Sequence, residues 1–177
     1  MKSIKAYPMI SKFRNLLLPA VTVTVMTVVL APPPQATAQI IAKANKNLYS
    51  ETSDANADIT AALVRARREH KRVLLDFGGN WCGDCQVLDI YYHQSPIAEL
   101  LEKNFILVHI DIGHMDRNVD VAKKYNVPIT KGVPALAVLD ASGKLLYAER
   151  EKEFEHPSPE AITAFLNRWK PGSLKKS

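Results

Sequence analysis

"DFGGNWCGDC", Asp76 to Cys85, holds both cysteines of this 177-residue chain, Cys82 and Cys85, with only Gly83 and Asp84 between them. A disulfide there encloses too little chain to brace a fold, because cross-link stabilisation grows with loop length. The pair therefore points to chemistry. Ahead of it, "RVLLDFG", Arg72 to Gly78, is a short β-rich run ending in glycines and predicts a buried strand. After it, Asp84 to about His93 predicts a helix. A cysteine at that strand-to-helix junction sits beside unpaired amide hydrogens of partial positive charge, which favour the thiolate. A free thiol titrates near ~8.5, and helix N-termini or Cys-x-x-Cys settings lower this to about 3.5–7.5. Residues three apart share a helix face, so Cys85 turns back toward Cys82. Cys82 then attacks or is attacked, and Cys85 resolves the mixed disulfide.

Working outward, Ile59, Ala62, Leu63 and Ala66 fall at the spacing that lines one face of a helix, with Asp54 or Asp58 as its cap. Ser95 reads as the cap of another helix, with Pro96 at its first position and Ile97, Leu100 and Leu101 facing inward. "FILVHIDI", Phe105 to Ile112, predicts a second strand. Val119, Ala122 and Tyr125 have helical spacing, and that helix must stop near Asn126 because Pro128 disfavours α geometry just before it. "ALAVLD" and "KLLYAE", flanking Ala141-Ser142-Gly143, predict two antiparallel strands joined by a tight turn. Ser158-Pro159 opens a last helix with Ile162, Phe165, Leu166 and Trp169 on one face. The order α-β-α-α-β-α-β-β-α predicts an α/β domain with a mixed central sheet covered by helices on both faces.

The N-terminus carries a separate signal. Lys2, Lys5, Lys12 and Arg14 precede the apolar run Leu16 to Ala31, which leads through three prolines to Ala36-Thr37-Ala38. Basic, apolar and small-residue segments in that order predict a secretory signal peptide, residues 1–38, cut after Ala38. An uncleaved anchor is the alternative, although 16 residues are short against the ~20 of a spanning helix. Residues 39–53 then form a flexible lead-in, and 54–177 the single domain. The net charge of +5 includes those four basic residues, so the remainder carries 19 basic and 18 acidic side chains. Nucleic-acid binding, which rests on clustered Lys and Arg, loses its support. Export permits disulfides, yet one candidate pair leaves the core to rest on packing.

A structural zinc site needs about four ligands, and one Cys-x-x-Cys supplies two. His93, His109, His114 and His156 form no metal-binding pair by spacing, so no metal and no cofactor are expected.

The segment Asp76 to Cys85 resembles the active-site region of the thioredoxin superfamily, in particular exported thioredoxin-like proteins and the C-terminal domain of the transmembrane thiol reductase DsbD. The similarity runs on through "HQSPIAELLEKNFILVHIDI" and "GVPALAVLDASGKLLY", from about Ile59 to Trp169. It implies a thioredoxin fold and a thiol–disulfide oxidoreductase. By the same resemblance Trp81 packs beside the reactive sulfur, and Asp76 is a buried acid that exchanges a proton with Cys85 through water. Burial would raise such a carboxyl's pKa. Pro134 matches a cis proline facing the disulfide, Val133 offers backbone groups to an extended substrate, and Gly132 leaves room for its approach.

Departures from the family pattern are informative. Gly83-Asp84 replaces the common Gly-Pro, and a lysine that often accompanies the buried acid is replaced by Leu107. Extra chain falls in "YYHQSPIAELLEKN", placed to widen or gate the substrate face, and in "GHMDRN". Gly83 and Asp84 would tune the redox potential: a carboxylate near Cys82 opposes its thiolate, which makes the dithiol a stronger reductant. The expectation is a monomeric, periplasmic reductant of protein disulfides, recharged by an upstream redox partner, a membrane-bound one among the candidates. A Cu(I)-binding or assembly module using the same dithiol is the alternative.

Overall fold

The computed structural model describes Asn45 and residues 47–173. The expected signal peptide lies outside the described residues, as do most of 39–46 and the last four positions. Among the described residues no helix is long and apolar enough to cross a membrane.

The sheet follows from two apolar runs that alternate between its faces. β1 (Arg72–Gly78) lies parallel to β2 (Phe105–Asp111), with Arg72 opposite Phe105 and Asp76 opposite His109. On its other side β1 pairs antiparallel with β3 (Ala135–Leu139), which pairs in turn with β4 (Leu145–Ala148). The order is β2-β1-β3-β4, the mixed sheet expected.

Val73, Leu75 and Phe77 point to one face, where α1 (Ala55–Glu69) and α4 (Val119–Lys124) bury Ile59, Ala62, Ala66, Val121 and Ala122 against them. Leu74 points to the other face, covered by α2 (Gly83–Tyr92), α3 (Ile97–Asn104) and α5 (Pro159–Trp169) through Leu88, Ile97, Leu101, Ile162, Phe165 and Leu166. Period-2 alternation in the strands and i, i+3, i+4 spacing in the helices thus meet in two apolar layers. Burying a large aliphatic side chain contributes about 1.5–3 kcal/mol, so these layers dominate the favourable side of folding.

Helix ends follow their caps. Asp54, not Asp58, caps α1, accepting from the amides of Asn56 and Ala57. Ser158 caps α5, accepting from the Ala161 amide, with Pro159 just inside. At α3 the expected cap fails. Pro96, not Ser95, occupies the cap position, the Ser95–Pro96 bond is cis, and the Ser95 hydroxyl donates to the Glu99 carboxylate instead.

Candidate active site

β1 ends at Gly78 and α2 begins at Gly83, so the intervening turn delivers Cys82 to the helix cap position. Cys82 and Cys85 are joined as a disulfide with Cα atoms 5.3 Å apart. Cys82 Sγ accepts the backbone N–H of Cys85 at 3.1 Å, a first-turn amide with no partner inside the helix. The same hydrogen bond would stabilise a thiolate at Cys82. Cys85 has no surface and Cys82 keeps 5%. The reactive sulfur is thus less open than an attacking centre suggests, but it is the one of the two that solvent reaches.

Facing it, Val133–Pro134 is cis and the Val133 carbonyl oxygen lies 3.5 Å from Cys82 Sγ. Gly132 adopts φ 149°, a backbone that L side chains rarely enter, and a Cβ there would meet Lys152 Cε at 3.3 Å. Its glycine is therefore explained by conformation as well as by space. A small groove beside this loop is lined by Asp84, Gly132, Val133, Pro134, Lys152 and Glu155. Asp84 is tied down across that groove: its carboxylate accepts from the His156 backbone amide at 3.2 Å and lies 3.4 Å from the His156 ring. Gly83 is different. A Cβ there would meet nothing.

Trp81 remains half exposed beside the cysteines. Its indole N–H donates to the Gly113 carbonyl at 2.6 Å, and its ring stacks on His114 with centroids 5.7 Å apart. The "GHMDRN" segment therefore borders the half-exposed Trp81 beside the cysteines. The other extra segment does not. It forms the end of α2 and all of α3, packed against α5, about 15 Å along the helix from Cys82.

Asp76 is fully buried, as expected, but its surroundings differ from those inferred. Its Oδ1 accepts the Tyr49 hydroxyl at 3.1 Å, and its Oδ2 accepts His109 Nδ1–H at 3.1 Å. Leu107, read as the substitute for a neighbouring lysine, lies opposite Leu74 and packs into the apolar layer; the position beside the acid belongs to His109. Burial opposes the charge on His109, but the hydrogen bond and charge of Asp76 outweigh it and hold the imidazole pKa above its ordinary value. Asp89, one turn beyond Cys85 on α2, lies 4.0 Å from His109 Nε2, and burial pushes its carboxyl up.

Tyr49 and Asn80 are the residues that sequence reasoning missed. The lead-in is not free at Tyr49, which is 1% exposed and packs against Cys82 and Cys85. Asn80 clamps it from both sides, its carbonyl accepting the Tyr49 N–H and its amide donating to the Tyr49 carbonyl, both at 2.9 Å. The only available hint was an asparagine inside the cysteine motif. Among the described residues no group of three or more His, Cys, Asp or Glu side chains is arranged to hold a metal ion.

Comparison with known proteins agrees with this geometry. A thioredoxin-like family profile matches residues 54–141. The thiol:disulfide interchange protein DsbD of Vibrio cholerae is 26% identical over 89 residues, 50% of this chain but 14% of that protein. A thioredoxin of Buchnera aphidicola is 34% identical over 76 residues, 41% of this chain and 59% of the relative. The chain thus spans less than two thirds of the length of these curated relatives. The crystal structure of a disulphide isomerase from Xylella fastidiosa Temecula1 superposes with a TM-score of 0.65 at 35% identity, covering 68% of this chain and 95% of that one. Because that structure is matched along nearly its whole length, the resemblance first read between Asp76 and Cys85 extends to the domain, and the chain belongs to the thioredoxin-like family.

Proposed function

We propose that this protein is a thiol–disulfide oxidoreductase of an exported compartment, acting on protein substrates in the reducing direction through Cys82 and Cys85. The observation that carries the reading is the disulfide at the start of α2, its outer sulfur facing the Val133–Pro134 loop. Reduced Cys82, stabilised by the Cys85 amide, attacks a substrate disulfide and forms a mixed disulfide. Cys85 then attacks Cys82 Sγ, releasing the second substrate thiol and regenerating the internal bond. The groove beside Gly132 and the exposed Trp81 are where an extended substrate segment would lie.

Export is supported by the basic, apolar and small-residue order of residues 1–38. The reducing direction is supported by Asp84, a carboxylate in the first turn of α2, which opposes negative charge at Cys82. A protein in this role needs a redox partner to return electrons to the disulfide.

Insulin reduction tests the reading. The protein should reduce insulin disulfides with dithiothreitol as electron source, Cys82→Ser should abolish the activity, and equilibration with glutathione should give a potential well below the roughly −120 mV of a strong oxidant. Full activity in Cys82→Ser would refute the exchange reading, and a potential near that oxidising end would refute the direction alone.

A further inference from the structure

We propose that Tyr49 is a positioning and proton-relay residue for Cys85, linking its thiol to Asp76 through a phenol hydroxyl supplied by the segment before α1. The inference rests on the exchange reading above. Three observations meet at one point. The Tyr49 hydroxyl donates to Asp76 Oδ1 at 3.1 Å. Its ring packs against the disulfide. A Cβ added at Gly78 would collide with the Tyr49 hydroxyl and lie 2.8 Å from Cys85 Sγ, so hydroxyl and sulfur crowd the same site, which the glycine leaves open. Asn80 fixes the segment that carries the ring, and the ring meets His109 edge-on with centroids 5.3 Å apart. His109 holds Oδ2 of Asp76, which leaves Oδ1 for the proton.

The step balances without an ionised tyrosine. In the mixed disulfide, the Cys85 S–H bond breaks as its proton passes to the Tyr49 oxygen, while the phenol's own proton moves to Asp76 Oδ1. The Cys85 electron pair then forms the bond to Cys82 Sγ, and the Cys82–substrate bond breaks with its electrons leaving on the substrate thiolate. Burial and the neighbouring Asp76 hold the Tyr49 hydroxyl well above its ordinary pKa, so it gives a proton only as it receives one. The other titratable groups around the pair are His109 on β2 and Asp89 and Tyr92 on α2, with Glu149 after β4 acting on Tyr92 in turn.

Oxidised glutathione supplies the test. The reduced protein is mixed with it, quenched at intervals, and the glutathione adduct on Cys82 is followed by mass spectrometry from about pH 6 to about pH 9, spanning thiol titration. In Tyr49→Phe, adduct formation should proceed as in wild type, while its decay at neutral pH slows by about 10², the low end of general acid–base catalysis. The deficit should shrink as pH rises and Cys85 ionises unaided. On an Asp76→Asn background Tyr49→Phe should add nothing, since both act in one relay. Should Tyr49→Phe not fold, wild-type decay in deuterium oxide provides the readout: two protons in flight give a bowed dependence on deuterium fraction. Wild-type decay in Tyr49→Phe, multiplicative slowing in the double variant, or absence of an isotope effect would each overturn the relay while leaving exchange at Cys82 intact. Failure of the wild-type protein to form the adduct would instead overturn the exchange reading, and the relay with it.

Discussion

Glu149 shows how a single side chain serves both sheet and site. It follows the last residue of β4, and its carboxylate accepts the backbone amides of Leu136 at 2.9 Å and Phe154 at 3.3 Å, while its own amide donates to the Leu136 carbonyl at 2.8 Å. The chain can therefore leave the sheet without orphaning Leu136, and the following loop brings Lys152 against Gly132 and His156 against Asp84. The residue is 2% exposed, and burial pushes its carboxyl up to about 7 from an ordinary value of 4.5. The sign follows from proton counting. Between those two values the unfolded state has lost the proton that the folded state keeps, so folding stability falls as pH rises through the window. One pKa unit corresponds to about 1.4 kcal/mol, so this group alone removes as much as ~3 kcal/mol. Raised values at His109 and Asp89 act in the same direction. Denaturant unfolding at pH 5 and pH 8 should show wild type weaker at the higher pH, and Glu149→Gln should shrink that difference. An unchanged pH dependence in the variant would show that burial does not hold the proton on Glu149.

At the scale of elements, α1 illustrates what local sequence determines. Its inner face is apolar at helical spacing, and Asp54 satisfies two first-turn amides. Asp54→Ala should cost about 1 kcal/mol in denaturant unfolding, within the 0.5–2 typical of a lost cap, while Asp58→Ala should cost less. The order of the α-helices and strands among the described residues was legible because periodicities of 2 and 3.6 are local properties of the chain, whereas the short 3-10 turn Ile129–Lys131 carries no such period. Ser95 misled because its hydroxyl found Glu99 rather than a backbone amide, a choice among neighbours that spacing does not settle. His109 was legible in principle: aligning the first residues of the two parallel strands places it opposite Asp76. Tyr49 was not. Its partners lie 27 and 31 residues away, and a lone tyrosine in an aperiodic segment carries no local mark of them.

On the scale of the whole molecule, the two apolar layers bear the fold and leave the disulfide free for chemistry. The turn after β1, the loop before β3 and the loop after β4 converge on the start of α2, so one sulfur is brought toward the surface while its partner is sealed beneath Tyr49. This asymmetry is the central claim, and trapping tests it most directly. Cys85→Ala and Cys82→Ala variants, each reduced and offered the same disulfide-containing protein, are separated without reductant. A stable covalent adduct is expected with Cys85→Ala and none with Cys82→Ala; adducts formed equally by both, or only through Cys85, would contradict the account.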